Sequence, residues 1–278
     1  MSALELRDVR GPSALGGGWR RSLDLLLLIA VNEFRRSYLG TALGYLWSIA
    51  RPLMLFAVLL VVFTQAFNLG DRVHQYPVLL LFNIVIFGFF QEATTQAVGS
   101  IVSQESVVRK TQFPRLVIPL AVVLTSVFNL GVNLVVVLVF VLAFGVTPMW
   151  TWLLFPLLLV ALFAFTTAVA AILSSLYPRF RDTAILWSVA ATVLFYASPV
   201  LYPAEAVPST LGTILRLNPF TPLLELGRVW VIDPSAPGPI EIAGGFVHLL
   251  PANAIYVATC LFAVWTFKRE APRIAEQL

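Results

Sequence analysis

The chain has 278 residues, 59% of them hydrophobic and only 12% charged, with a mean hydropathy of +0.89. That balance excludes a water-soluble domain and marks an all-α polytopic membrane protein. The net charge is +4, but its sign matters less than where the bases sit relative to the apolar runs.

Residues 1–20 are polar and Gly-interrupted, with no sustained apolar period, and read as a cytoplasmic tail. The next segment, 21–38, is amphipathic. Read at about 100° per residue, Arg21, Asp24, Asn32, Arg35 and Arg36 share one arc interrupted only by Leu28, while Leu23, Leu26, Leu27, Ala30, Val31 and Phe34 cover the other side. Its apolar run, Leu25 to Val31, is far short of the roughly 20 residues a crossing needs, so this helix lies in the interface. A secretory signal fits poorly, because a long polar stretch precedes the apolar core and Asn32-Glu33-Phe34-Arg35-Arg36 follows it.

From residue 41 to 267 the chain reads as six spans: Thr41 to Phe67, Tyr76 to Val102, Leu116 to Phe144, Trp152 to Leu176, Thr183 to Tyr202 and Val247 to Phe267. Tyr38, Tyr45 and Trp47 supply rings suited to headgroup depth at the first of them. Residues 268–278 form a second polar tail. If the N-terminus is cytoplasmic, both tails, Ser103 to Arg115 and Tyr177 to Asp182 lie inside. Of the 18 Lys and Arg residues, only Arg72, Arg216 and Arg228 then fall outside, as the positive-inside bias requires. Between the fifth and sixth spans, Leu211 to Leu217 and Leu223 to Ile232 are each too short to cross, and Asn218-Pro219-Phe220-Thr221-Pro222 separates them. The pair reads either as a re-entrant hairpin or as surface helices on the outer headgroups.

No G-x-x-x-x-G-K-[ST] loop is present, so this chain does not handle ATP by that device. The single cysteine, Cys260, allows no internal disulfide, and His74 and His248 are too isolated to ligate a metal; no catalytic or metal-binding residues are predicted. Nothing calls for a nucleic-acid partner. Glu92 is the one acidic residue well inside a span. Among Gln91, Thr94, Thr95 and Gln96 it reads as a packed or channel-facing polar position rather than a proton relay, which needs several such groups.

Four motifs in register carry a family resemblance. Glu33-Phe34-Arg35-Arg36-Ser37-Tyr38-Leu39-Gly40, leading through Leu43-Gly44-Tyr45-Leu46-Trp47 to Arg51-Pro52-Leu53, resembles the lead-in of ABC-2 type permeases that export polysaccharides such as O-antigen, teichoic acid and capsule. Val108-Arg109-Lys110 with Phe113-Pro114-Arg115, Tyr177 to Asp182, and Asn218-Pro219-Phe220 are similar to that family's later loops. The resemblance implies a plasma-membrane homodimer paired with two copies of a separate ATPase, which would bind ATP and Mg while this chain binds no cofactor. The cargo would be a lipid-linked glycan. The interfacial helix and the 103–115 loop would dock on the ATPase, and the first and fifth spans with the outer hairpin would line or gate the path.

Within that loop, Val107, Val108 and Phe113 form a small apolar knob among Glu105, Arg109, Lys110 and Arg115, suited to a groove on another protein. The plainer reading is a basic loop that sets topology and touches anionic headgroups. Trp47, Phe56, Phe63, Tyr196 and Tyr202 offer flat faces on the first and fifth spans for sugars to slide against, although each also reads as an ordinary lipid-facing or belt residue. Two other functions compete: an ABC-2 exporter of a small hydrophobic compound, and a membrane scaffold without transport.

Overall fold

The computed structural model describes residues 26–34, 44, 46–104 and 116–270. All regular structure among them is helical. We label the helices α1 (26–34), α2 (Leu46–Gln65), α3 (Tyr76–Val98), α4 (Val117–Ala143), α5 (Phe155–Leu176), α6 (Thr183–Ala197), α7 (Ser209–Leu217), α8 (Phe220–Gly227), α9 (Pro239–Ala243) and α10 (Phe246–Glu270). Five of these, α2, α3, α4, α10 and α5 with the 3-10 turn Trp150–Leu154 before it, are long and apolar enough to cross a membrane. The sixth apolar helix, α6, has 15 residues.

The bundle is built around α3. Tyr76, Leu80, Ile86, Phe87 and Phe90 on successive sides of this helix are all almost fully buried, and α2, α4, α5 and α6 pack about it. On the far side of α5 lies α10, where Ala168 and Ala171 meet Ala263 and the small side chains allow the backbones to approach. The Tyr256 hydroxyl of α10 donates to the Ala161 carbonyl at 2.8 Å, and its ring stacks on Phe165 at 5.2 Å.

The apolar side of the amphipathic segment is divided between protein and surroundings. Leu26 and Ala30 are buried, the Ala30 carbonyl accepts from Thr125 Oγ1 of α4 at 3.2 Å, and Phe34 meets Phe128 edge-on at 5.4 Å. Leu27 and Leu28 stay exposed.

Two boundaries beside the outer hairpin differ from those the sequence predicts. The fifth apolar run stops being helical at Ala197 rather than continuing to Tyr202. Pro199 lacks an amide hydrogen and disfavours helical backbone at the residue before it, and Ser198 is accordingly extended at φ −101°, ψ 152°. In the segment that follows, the break between the two short helices is Asn218-Pro219 alone. Phe220, Thr221 and Pro222 belong to α8, because proline is tolerated in a first turn whose amides lack helical partners anyway. A π turn, Arg228–Ile232, continues α8, and α9 is an additional short helix that the composition does not signal.

Candidate functional site

The unwound chain after α6 leaves carbonyls that a helix would have used, and side chains from elsewhere meet those of Ala197, Pro199, Val200 and Leu201. Tyr76 Oη donates to the Leu201 carbonyl at 2.8 Å, and Asn83 Nδ2 donates to the Pro199 carbonyl at 3.0 Å. Asn218 Nδ2 reaches the Ala197 carbonyl at 3.1 Å and Ser198 Oγ at 2.8 Å, while its Oδ1 accepts from the Phe220 amide at 2.9 Å. One asparagine thus caps the end of α6 and the start of α8 together. That is the chemistry behind Asn218-Pro219-Phe220.

The third member of the motif is an anchor. Phe220 is 1% exposed, with its ring 5.1 Å from Phe87, 4.5 Å from Phe90 and 5.4 Å from Phe165. Phe90 lies fourteen residues along α3 from Tyr76, about 21 Å at the helical rise. The turn between α7 and α8 therefore reaches well down the bundle. Further along, a Cβ at Gly227 would stand 2.5 Å from the Phe82 ring, so only glycine allows this approach. Thr151 Oγ1 and Trp152 Nε1 then hold the Trp230 and Val231 carbonyls at 2.6 and 3.1 Å, tying the π turn to the head of α5. At the hairpin's rim, Arg228 pairs with Glu205 at 2.7 Å and lies 3.7 Å from Glu225, whose Oε1 accepts from the Ala204 amide. Burial pushes the Glu225 carboxyl up to about 7, against the pull of Ala204 and Arg228.

Opposite this anchored hairpin the bundle has an open face. α6 rests on α3 through Trp187, Ala191 and Phe195, a stripe at four-residue spacing; Trp187 Nε1 donates to Thr94 Oγ1 at 3.1 Å and Phe195 meets Phe87 edge-on at 5.5 Å. The opposite side of α6 is bare, with Ile185, Leu186, Val189, Val193 and Tyr196 exposed. α2 is bare as well, and Phe56 is its one buried residue. Between α2 and α6, with α3 as floor and α4 beside it, lies a cavity of about 680 Å³.

The predicted site residues divide accordingly. Trp47 lines this cavity and is half-exposed. Tyr196 is exposed, and the Tyr202 hydroxyl donates to its carbonyl at 2.9 Å. Phe63 stacks on Phe67 at the other end of α2, 5.2 Å away. Phe56 is turned into the body, edge-on to Phe140 at 5.4 Å, and does not join the other rings. Asn32 is exposed on α1, and Glu33 is half-buried. Arg21, Asp24, Arg35 and Arg36 lie outside the described residues, as do Glu105, Val108, Arg109, Lys110, Phe113, Pro114 and Arg115.

Glu92 sits in the cavity wall. Its Oε1 accepts from Asn129 Nδ2 at 2.6 Å and from Gln96 Nε2 at 3.1 Å, and Asn133 lies one turn along α4 from Asn129. Asn129 and Asn133 are not singled out in the sequence reading, although two asparagines four apart in an otherwise apolar run signal one polar face.

With this geometry, a buried central helix, a capped break and an open face on a multi-pass bundle, the class is that of a membrane transport subunit. Residues 24–231 match the ABC-2 type transporter family, and the chain belongs to it. Among its relatives are proteins named O-antigen export system permease protein RfbA. Two are from Klebsiella pneumoniae, 29% and 27% identical over 202 residues, and one from Myxococcus xanthus is 29% identical. Each alignment covers 72% of this chain and 77% of the relative.

Proposed function

We propose that this chain is the permease subunit of an ATP-driven exporter that moves a lipid-linked polysaccharide across the plasma membrane. It works as a homodimer with two copies of a separate ATPase that holds ATP and Mg. The observation that carries the dimer is the open face: α2 and α6 flank a polar-floored cavity yet leave their apolar outer sides uncovered. A second copy placed against that face would turn two grooves into one enclosed path. The polysaccharide cargo follows the names of the relatives.

Six crossings fit the geometry. At 15 residues α6 is about 22 Å long, short of the roughly 30 Å hydrocarbon core. The chain after it continues through turns and bends at residues 198–202. Helix and turns together run from Trp187 beside Thr94 to Leu201 beside Tyr76, most of the length of α3. The depth of Phe220 supports a re-entrant hairpin, and protein covers its broken backbone, as such a break requires. The distribution of Lys and Arg supports cytoplasmic termini. The 103–115 loop, with Phe113 as its anchor, and the amphipathic segment take the ATPase-docking role.

The family's exporters of small hydrophobic compounds are a second reading, and the polar floor of the cavity speaks against it, because an apolar cargo has no use for a carboxylate and three amides. Deleting the gene tests the proposal. Surface polysaccharide should disappear while its lipid-linked precursor accumulates inside, and the intact chain should restore it. Unchanged surface polysaccharide in the deletion strain refutes polysaccharide export.

A further inference from the structure

Most polar side chains inside this bundle are committed to backbone partners. Thr94 donates to the Phe90 carbonyl, Thr166 to Leu162, Asn83 to Pro199 and Tyr76 to Leu201. The cavity between α2 and α6 breaks that pattern. Both hydrogen bonds to Glu92 fall on Oε1, and Oε2 takes none. Arg51, Gln91 and Thr95 line the same space; the Arg51 guanidinium attracts the Glu92 carboxylate electrostatically, and the Gln91 and Thr95 side chains make no hydrogen bond among the described residues. Glu92 and Gln91 are half-buried and Arg51 and Thr95 exposed, so their free hydrogen-bonding capacity faces the cavity, where water or a ligand can meet it. At about 680 Å³ the space lies in the range of small-molecule sites.

The chemistry of the lining selects the ligand. One guanidinium and one carboxylate balance each other, and the remaining polar groups are neutral amides and hydroxyls. A diphosphate calls for several cations and is repelled by a carboxylate. A metal calls for clustered His, Cys, Asp or Glu, and no group of three or more stands together among the described residues. Uncharged hydroxyls, which both donate and accept, match an acceptor fixed by Asn129 and Gln96 beside uncommitted donors, with the half-exposed Trp47 ring at the edge.

We infer that Glu92, Arg51 and Gln91 form a sugar-binding station on the floor of the groove, which recognises the hydroxyls of uncharged sugar residues as the chain passes. This rests on the polysaccharide-export reading above. It adds that the path has a polar, hydrogen-bonding contact on α3 as well as rings on α2 and α6. Glu92 is the specificity-determining member, because the bonds from Asn129 and Gln96 fix where its free oxygen points.

The test uses the full chain with its ATPase in nanodiscs, carrying Cys260→Ser and Thr95→Cys, so that a maleimide dye reports on the cavity. The probes are the oligosaccharide freed from the host's own surface polysaccharide by mild acid, and inorganic pyrophosphate. The oligosaccharide should slow labelling and pyrophosphate should not. Glu92→Gln keeps the oxygen that Asn129 and Gln96 bond but turns the free acceptor into a donor. It should raise the half-protecting concentration about tenfold or more, the loss of a charged hydrogen bond. Gln91→Leu, which touches none of these bonds, should weaken protection in the same direction and covers the case in which Glu92→Gln is poorly folded. Protection by pyrophosphate alone assigns the cavity to a lipid headgroup and overturns the inference. So does protection by neither probe, or protection that both substitutions leave unchanged. If the intact gene restores surface polysaccharide while labelling is unprotected, only the station fails. If the deletion strain keeps its polysaccharide, the export reading has failed first.

Discussion

α2 and α3 are neighbouring apolar helices of similar length, and they have opposite fates. In α3, 78% of the most apolar stretch is buried inside the protein; in α2 the share is 6%, although α2 is the more hydrophobic of the two. Lipid is as apolar as a protein core, so hydrophobicity does not drive one helix inward past another. What holds α3 at the centre is its polar and aromatic detail. Tyr76, Asn83 and Thr94 bond to α6 or the chain beyond it, Glu92 to α4, and Phe87 and Phe90 close around Phe220. α2 carries few such groups, and its sides stay largely bare.

The contrast breaks most sharply at its anchor. Phe220→Ala should cost about 3–5 kcal/mol, the range for a fully buried ring that leaves a cavity. The check is the unfolding midpoint of the purified protein, and a shift no larger than that of an exposed Tyr196→Ala control would show that the aromatic cluster does not hold the hairpin. Gly227→Ala should follow at about 1–3 kcal/mol, because its new methyl meets Phe82 rather than open space. A companion Gly88→Ala, with nothing within 4 Å, should show no such clash.

Asn218→Ala comes next. It leaves the Ala197 carbonyl and the Phe220 amide without their partner, at a cost of about 1–3 kcal/mol. Hydrogen exchange at residues 197–203 should rise in this variant, and unchanged protection there would show that the break needs no cap.

Substitutions on the open face should reverse the pattern, with function lost and stability kept. Tyr196→Leu with Tyr202→Leu removes one exposed hydroxyl bond and should cost about 1 kcal/mol or less. Export of polysaccharide should nevertheless fall, measured as surface glycan at matched membrane abundance. Full export in the double variant would make these rings ordinary packing residues.

The smallest effect concerns Glu225. Its folded carboxyl titrates near 7 because burial disfavours the charge, with Glu205 adding repulsion and Arg228 opposing both. A raised value means that protonation favours the folded form. The contribution is full below the ordinary carboxylate range and is lost as pH rises through about 7. The unfolding midpoint should therefore fall modestly between pH 5 and pH 8, and Glu225→Gln should flatten that slope.

How the amino-acid order relates to these regions differs from place to place. Local features were legible because they depend on near neighbours in the chain. Apolar runs of crossing length and the presence of two short helices with a proline-containing break between them are of this kind, although the end of α6 at Ala197 and the narrowing of the break to Asn218-Pro219 were not. Which ring faces which way was not. Phe56 and Trp47 sit on the same helix in similar company, yet one is packed on Phe140 and the other edges the cavity. A helix surrounded by lipid or by protein needs the same side chains on either side, so composition carries no signal for direction.

The sequence by itself determined the class and the long apolar helices, since backbone hydrogen bonding in an apolar medium permits little else. Only the tertiary structure decided that Asn218 caps the end of α6, that Phe220 descends beside Phe90, and that Glu92 is fixed from α4 with one oxygen left to the cavity. Those contacts join residues 20 to 130 positions apart, and no local pattern encodes a partner at that distance.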